Sequence, residues 1–330
     1  MKNYIRMPLL TITFLVAVVS ILSSSVRAEQ VGYQAGSFLR IGLGADRVAL
    51  GDCGAGLSGA TMNWYYNPAA LPRQVNRQVA LSYRSMSLDR SILYVGFSTP
   101  MPPKAGLAFG ILRAGTDNID ARDSNGNRFD MLSHSENLIH GTFALQPHPV
   151  IGLGINIKWM INAVPNILED DKNLYAYGMG IDLGLRIIAS EDLQFGLVLR
   201  DIDSRYNWDT SDVWGDESGT IENEFPTLVR AGVAWKALDY LLIVSDMIIN
   251  PDLIGDYSEA FEAHFGAQYN VEFQSDRQFI LRGGWNGEVP TFGFGVDMGI
   301  RQFRARMDYA FLIEEIAPGG SHLVSWIFEF

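Results

Sequence analysis

From Arg77 to its end the chain alternates, residue by residue, between large apolar side chains and small or polar ones. Segment 177–188 places Tyr177, Met179, Ile181, Leu183, Leu185 and Ile187 on one face. Gly178, Gly180, Asp182, Gly184 and Arg186 fall on the other. Segments 151–161, 292–299 and 303–311 repeat the pattern, the last with Arg304, Arg306 and Asp308 opposite Phe303, Ala305, Met307, Tyr309 and Phe311. A period of two is the signature of a β-strand with two different environments on its faces. In a soluble sandwich the face opposite the large residues would be broadly polar. Here it is mostly glycine with isolated charges, which suits the crowded interior of a narrow barrel whose outside meets lipid.

The pattern predicts strands over 77–85, 91–99, 105–113, 137–146, 150–161, 177–188 and 192–201. It continues with 226–236, 239–248, 260–271, 277–286, 292–299, 302–311 and 321–330. Most have the length of a tilted transmembrane strand, about 9–11 residues. The fold class expected is therefore all-β, an antiparallel transmembrane barrel of about fourteen strands, an even number as such barrels require. The connections sort by side. Those over 114–136, 162–176 and 202–225 are long and all fall on one side, and the opposite connections are short turns. Outer-membrane barrels sort their loops this way, with the short turns in the periplasm. The closing segment alternates too. Its Trp326, Phe328 and terminal Phe330 are the kind of C-terminal aromatic strand that barrel-assembly machinery recognises.

Residues 29–76 break the pattern. They are rich in Gly and Ala, and Asn67-Pro68-Ala69 reads as a capping Asn followed by Pro at the first helical position. This predicts short helices and turns too small for a core of their own, forming a plug inside the barrel at 77–330. Before it, Lys2 and Arg6 precede an apolar run from Leu9 to Leu22, and Val26-Arg27-Ala28 ends the segment. That is the layout of a signal peptide over 1–28, cleaved near Ala28, and it implies export to the outer membrane.

Charge and composition narrow the function. Removing Lys2, Arg6 and Arg27 from 25 basic residues leaves 22 against 37 acidic ones, a formal charge of −15. Such a chain lacks the basic face that nucleic acid requires. The single cysteine cannot form an internal disulfide. Five histidines show no metal-ligand spacing, and no nucleophile elbow, zincin motif or phosphate loop is present. No cofactor and no enzymatic activity are expected.

Several stretches carry a resemblance. Phe38-Leu39-Arg40-Ile41-Gly42-Leu43-Gly44-Ala45, Ala49-Leu50-Gly51 and Asn67-Pro68-Ala69-Ala70-Leu71 resemble the N-terminal signature of the PorV/PorQ family. These are outer-membrane proteins related to the FadL fatty-acid transporters. Leu281-Arg282-Gly283-Gly284-Trp285 and Met307-Asp308-Tyr309-Ala310-Phe311 are similar to later parts of it. The sequence departs from the signature at Leu50, Asp52, Cys53 and Ala70. The resemblance implies a fourteen-strand FadL-like barrel. It also implies a role in type IX-like secretion, with a translocon and cargo proteins as partners at the outer loops. The alternative is FadL-like transport of a hydrophobic ligand.

Charged side chains facing lipid at mid-depth cost about 2–4 kcal/mol each for Arg or Lys, so mid-strand charges must point inward. That rule selects Lys158, Asp182, Arg186, Arg200, Arg230, Glu262, His264, Arg282, Asp297, Arg304, Arg306 and Asp308 as lumen-facing. They form either a ligand-contacting wall or neutralising pairs that stitch barrel to plug. In the outer connections, Asp123-Ser124-Asn125-Gly126-Asn127 reads as a hairpin turn or a partial calcium loop. The acidic stretch 201–224, with Tyr206, Trp208 and Trp214, reads as a solvated surface loop or a partner-binding one.

Overall fold

The computed structural model describes residues 35–58, 61–123, 125–164, 174–210, 219–253, 260–274, 276–300, 303–314 and 319–330. The expected signal peptide, and Trp214 in the acidic loop, lie outside the described residues.

Alternation becomes a strand wherever it was read, and the strands close on themselves. In chain order they are β1 (Gln78–Met86), β2 (Arg90–Met101), β3 (Ala105–Arg122), β4 (Arg128–His148) and β5 (Ile151–Val164). Next come β6 (Leu174–Ile188), β7 (Leu193–Asp209), β8 (Thr220–Glu224), β9 (Leu228–Leu238) and β10 (Leu241–Ile249). The last are β11 (Phe261–Gln274), β12 (Arg277–Trp285), β13 (Pro290–Ile300), β14 (Phe303–Ile313) and β15 (Gly320–Glu329). Each barrel strand pairs antiparallel with its neighbours, and β1 pairs with β15 from Gln78↔Glu329 to Ser85↔His322. β6 pairs with β7 and β7 with β9, so the barrel has fourteen strands. The remaining one, β8, pairs only along the outer end of β7.

The outer connections differ from expectation. The stretch 114–136 is not a loop: β3 runs on to Arg122 and β4 starts at Arg128. Likewise β7 continues through Tyr206 to Asp209 and folds back as β8. These segments rise above the wall, where neither face meets lipid or a packed lumen. Nothing there imposes alternation, so the sequence carries no period while the backbone still pairs.

Inside the wall the two faces separate cleanly. Phe109, Ile111, Tyr177, Met179 and Phe292 point outward and are exposed, forming the lipid-facing belt. The facing positions point inward and are filled by residues 35–76. That segment makes one α-turn at Ala45–Val48 and 3₁₀ turns at Ser37–Arg40, Thr61–Tyr65 and Pro68–Arg73. Asn67 caps the last turn through its Oδ1, which accepts the Ala69 N–H at 2.9 Å.

The plug buries its apolar side chains against the wall as well as against one another. Phe38, Leu39, Leu43, Met62 and Trp64 pack on Ile92, Leu112, Leu138, Met160, Tyr206 and Phe225. Lumen glycines make this possible. A Cβ on Gly196 would fall inside the Ala55 carbonyl, and one on Gly154 would overlap the Pro68–Ala69 peptide. The plug backbone lies directly on the strands at both places.

Candidate functional site

The twelve charges expected to face the lumen do not make one lining, and Arg304 among them is exposed. They separate into clusters, and five of them, Arg186, Arg200, Arg230, His264 and Arg306, bond to the plug. On β5, β6 and β7, Lys158 Nζ lies 2.5 Å from Asp182 Oδ1 and also donates to Asp201. Asn156 Nδ2 donates to Asp182 Oδ2 at 2.9 Å, and the Asp201 N–H donates to Asp182 Oδ1 at 2.9 Å. Asp201 has a positive φ of 58° and lies within one of the two β6–β7 register shifts that flank Ile202. The buried carboxylates thus replace ladder bonds that the bulged strand cannot make. Next to them, Arg200 Nη2 reaches the plug's Leu39 carbonyl at 2.8 Å, with the guanidinium 4.6 Å above the Tyr65 ring centre.

A second cluster holds residues 51–55. Asp246 Oδ2 accepts the N–H groups of Gly54 and Ala55 at 2.8 and 3.0 Å, and Arg230 Nε at 2.8 Å. Arg230 also donates to the Asp52 carbonyl, and Tyr66 Oη donates to Asp52 Oδ1 at 2.6 Å. On β11, His264 Nδ1 meets the Gly51 carbonyl at 2.7 Å while Nε2 lies 3.0 Å from Glu262. In a third cluster Asp308 pairs with Arg282 at 2.7 Å and with Arg306 at 2.8 Å, and Arg306 reaches Asp46 of the plug at 2.9 Å. Asp297 and Arg304 pair apart from these, 2.7 Å from each other near the short-turn end. Arg186 is buried on β6, where its Nη1 lies 3.5 Å from the Ala70 carbonyl, and among the described residues it has no ion pair.

Reading strands alone named both members of the Lys158–Asp182, Glu262–His264, Arg282–Asp308, Arg306–Asp308 and Asp297–Arg304 pairs but missed four further partners. Asp46, Asp52, Asp201 and Asp246 are buried partners. Asp246 carried a usable signal, because it is a mid-strand charge that the same inward rule selects. Asp46 and Asp52 lie in the plug, where no period tells inside from outside.

Above the polar clusters the lumen is aromatic. Trp64 of the plug stacks on His140 of β4 with ring centres 3.4 Å apart and planes 19° apart. Its Nε1 donates to Tyr94 Oη at 2.7 Å, and Tyr94 Oη lies 3.2 Å from His140 Nε2. His140 Nδ1 in turn lies 3.2 Å from Asn156 Oδ1, which ties the aromatic layer to Asp182. Tyr206 belongs to this layer and is buried, so it is no loop aromatic in water, contrary to the reading of 201–224. At the opposite mouth, a cavity of about 240 Å³ is lined by Leu57, Ala234 and Leu242, with Glu191, Asp192 and Lys236 also on its wall.

Trp326, Phe328 and Phe330, expected to form an assembly signal, are exposed, the first two on β15 and Phe330 just after it. In the outer turn, Asp123 Oδ1 accepts the N–H groups of Asn125 and Asn127, at 2.9 and 2.8 Å. Its oxygens close a hairpin turn, and among the described residues no group of three His, Cys, Asp or Glu could hold a metal ion.

A closed antiparallel barrel with an outward apolar belt, short turns on one side and a plugged, polar-and-aromatic lumen is an outer-membrane β-barrel. Its fold matches solved structures over most of its length. The Ralstonia pickettii toluene transporter TbuX superposes with a TM-score of 0.60 at 13% identity, covering 87% of this chain and 97% of that one. The Pseudomonas putida toluene transporter TodX gives 0.58 at 12% identity, with 87% and 97% covered. A Pseudomonas aeruginosa FadL homologue gives 0.55 at 9% identity, again with 87% and 97% covered. No protein-family model matches the sequence. No curated protein matches it either.

These findings correct the PorV/PorQ resemblance: the solved structures whose fold superposes best among those compared include toluene transporters, a hydrocarbon channel and a FadL homologue. The misleading residues have a physical explanation. Ala69 and Ala70 are fully buried under strands that carry Gly152 and Gly154, and Asn67 caps the turn they form. Small residues after an Asn-Pro cap are what any plug pressed this closely to a barrel wall needs. They report the fold and not membership of one branch of it.

Proposed function

We propose that this barrel conducts small hydrophobic molecules across the outer membrane, as a conduit and not an enzyme. The observation that carries the reading is the aromatic and aliphatic layer in the outer half of the lumen, inside a fold shared with toluene transporters. Ile92, Tyr94, Leu112, Leu138 and Met160 form a wall that offers an apolar solute contact area and few hydrogen bonds. The plug's Phe38, Met62 and Trp64 occupy that space in the closed state. A solute enters by displacing them. Trp326, Phe328 and Phe330 would serve insertion by the assembly machinery, and membrane lipid is the permanent partner of the outer belt.

Expression in a diderm host stripped of its own hydrophobic-uptake barrels tests this. Uptake of labelled toluene or a long-chain fatty acid should rise several-fold over a host carrying empty vector, while entry of a sugar stays unchanged. Equal uptake of every hydrophobic probe with and without the barrel would sink the reading.

A further inference from the structure

The cavity at the short-turn mouth opens into the lumen between the plug and the wall. Gln194 of β7, Ala234 of β9 and Leu242 of β10 line it from the wall, and Leu57 lines it from the plug. Leu57, Ala234 and Leu242 also belong to one apolar cluster, which continues beyond the cavity through Val244, Cys53 and Leu50. The cavity is thus the open end of an apolar seam between the plug and β9–β10. Leu57 stands where that seam closes.

The plug holds Leu57 by its backbone. Its N–H donates to the Gly54 carbonyl at 3.1 Å, and its own carbonyl accepts Asn63 Nδ2 at 2.9 Å. Gly56, just before it, lies on β9, where a Cβ would come within 2.8 Å of the Ala234 nitrogen. Ser58, just after it, donates to Gln194 Oε1 at 3.1 Å. With the main chain fixed on both sides, a rotamer change of the Leu57 side chain is what opens the seam.

Size and charge set what fits. The cavity measures about 240 Å³. An apolar cavity of about 150 Å³ is enough to bind benzene, so this one takes a single ring or a short branched chain. Glu191, Asp192 and Asp239 stand around it against one cation, Lys236, whose ammonium lies 2.9 Å from Asp239. A carboxylate-bearing solute meets an excess of like charge at this mouth, and a neutral one does not.

We infer that this cavity is a binding vestibule for small neutral apolar molecules, with Leu57 as its inner gate and the acidic rim as a filter against anionic acids. It is the last site a solute occupies before the periplasm, a direction of travel that rests on the conduit reading proposed above. Binding at the vestibule does not depend on that direction.

Ser58→Cys places a thiol in the cavity wall, and the fully buried Cys53 serves as an internal reference. Alkylation of the full-length, detergent-purified variant by N-ethylmaleimide is followed by mass spectrometry, with toluene and benzoate as probes of equal ring size. Toluene should slow reaction of the introduced thiol several-fold, and benzoate should leave it unchanged. Adding Leu242→Gln replaces apolar wall by an amide and should remove the protection by toluene. Adding Glu191→Gln and Asp192→Asn instead should let benzoate protect. Toluene that fails to protect, or that protects equally after Leu242→Gln, overturns the vestibule. Benzoate that protects as well as toluene while the rim is intact overturns the filter. In the uptake host, Leu57→Trp should cut toluene entry several-fold. Entry unchanged by Leu57→Trp would remove Leu57 as the gate and leave the conduit standing, whereas protection without any uptake would remove the conduit and leave the site.

Discussion

The Trp64 indole lies flat on the His140 imidazole, 3.4 Å between ring centres, and donates its N–H to Tyr94 on the adjoining wall. One plug side chain thus fills the aromatic layer and is tied to β2 and β4 at once. Replacing it with alanine removes a fully buried ring. Loss of a buried Trp costs about 3–5 kcal/mol, and here the loss falls on plug docking, because the β-ladders do not involve Trp64. Trp64→Ala should fold as a barrel, show faster amide exchange over residues 61–66 and raise toluene uptake. Unchanged exchange in those residues would mean that the stack does not hold the plug.

Asp246 is the hinge pin of the second cluster. Its Oδ2 takes two plug N–H groups and the Arg230 guanidinium. Asp246→Ala strands Arg230 with only Asp52 at 3.6 Å and leaves two buried amides unsatisfied. Breaking one side of a buried ion pair costs about 3–5 kcal/mol. Limited proteolysis should then cut within residues 50–57, where the wild-type protein should resist cleavage, while the folded barrel itself should persist as judged by its migration on an unheated gel.

Gly196 offers a steric test that touches no charge. Any Cβ there meets the Ala55 carbonyl. Gly196→Val should therefore expel the 54–57 stretch without harming the strand, since valine favours β structure. The expected result is the same proteolytic pattern as Asp246→Ala with an unaltered barrel. Resistance equal to wild type would show that the plug shifts sideways to accommodate the side chain.

How much of this was legible in the sequence depends on whether two environments met across the backbone. Where lipid and lumen face each other, as along 177–188, alternation located β6 to within a few residues and put Asp182 and Arg186 inside. Above the rim both faces see water, so Asp117, Asn118 and Asp120 carry no period and the β3–β4 arm looked like a loop. The plug was visible as a departure from alternation, and its Asn67 cap was readable. Its contacts were not. Ala45 donates to Ser325 and Gly51 to Thr291, pairings more than 200 residues apart that no local pattern encodes. The inward-charge rule found Lys158 but not its second partner Asp201, which sits at a bulge where the parity of the strand breaks.

That bulge makes Lys158 a stability test for the wall itself. Its ammonium balances Asp182 and Asp201, both buried, across β5, β6 and β7. Lys158→Met keeps the length of the side chain and removes the charge, leaving two carboxylates facing each other. Urea unfolding in lipid should lose about 3–5 kcal/mol. Lys158→Met combined with Asp201→Asn should recover part of it, because one of the two bare charges is then gone. A double variant no more stable than the single one would mean that Asp182, not the pair, carries the cost.

The outer hairpin turn should respond to acid. Three hydrogen bonds from Asn125 and Asn127 hold the Asp123 carboxylate below its ordinary range, the Asn127 backbone bond first among them. A carboxylate whose pKa is depressed in the folded state stabilises that state at any pH above its ordinary value. The contribution fades as pH falls through the depressed pKa and is absent below both. Amide exchange at Asn127 should be slow and independent of protonation at neutral pH, then accelerate relative to the intrinsic rate as pH drops below the usual carboxylate range. Asp123→Asn, which cannot titrate, should abolish that pH dependence and leave the β3–β4 ladder beneath the turn unaffected. The same acid sensitivity in Asp123→Asn would place the titrating group elsewhere and overturn this assignment.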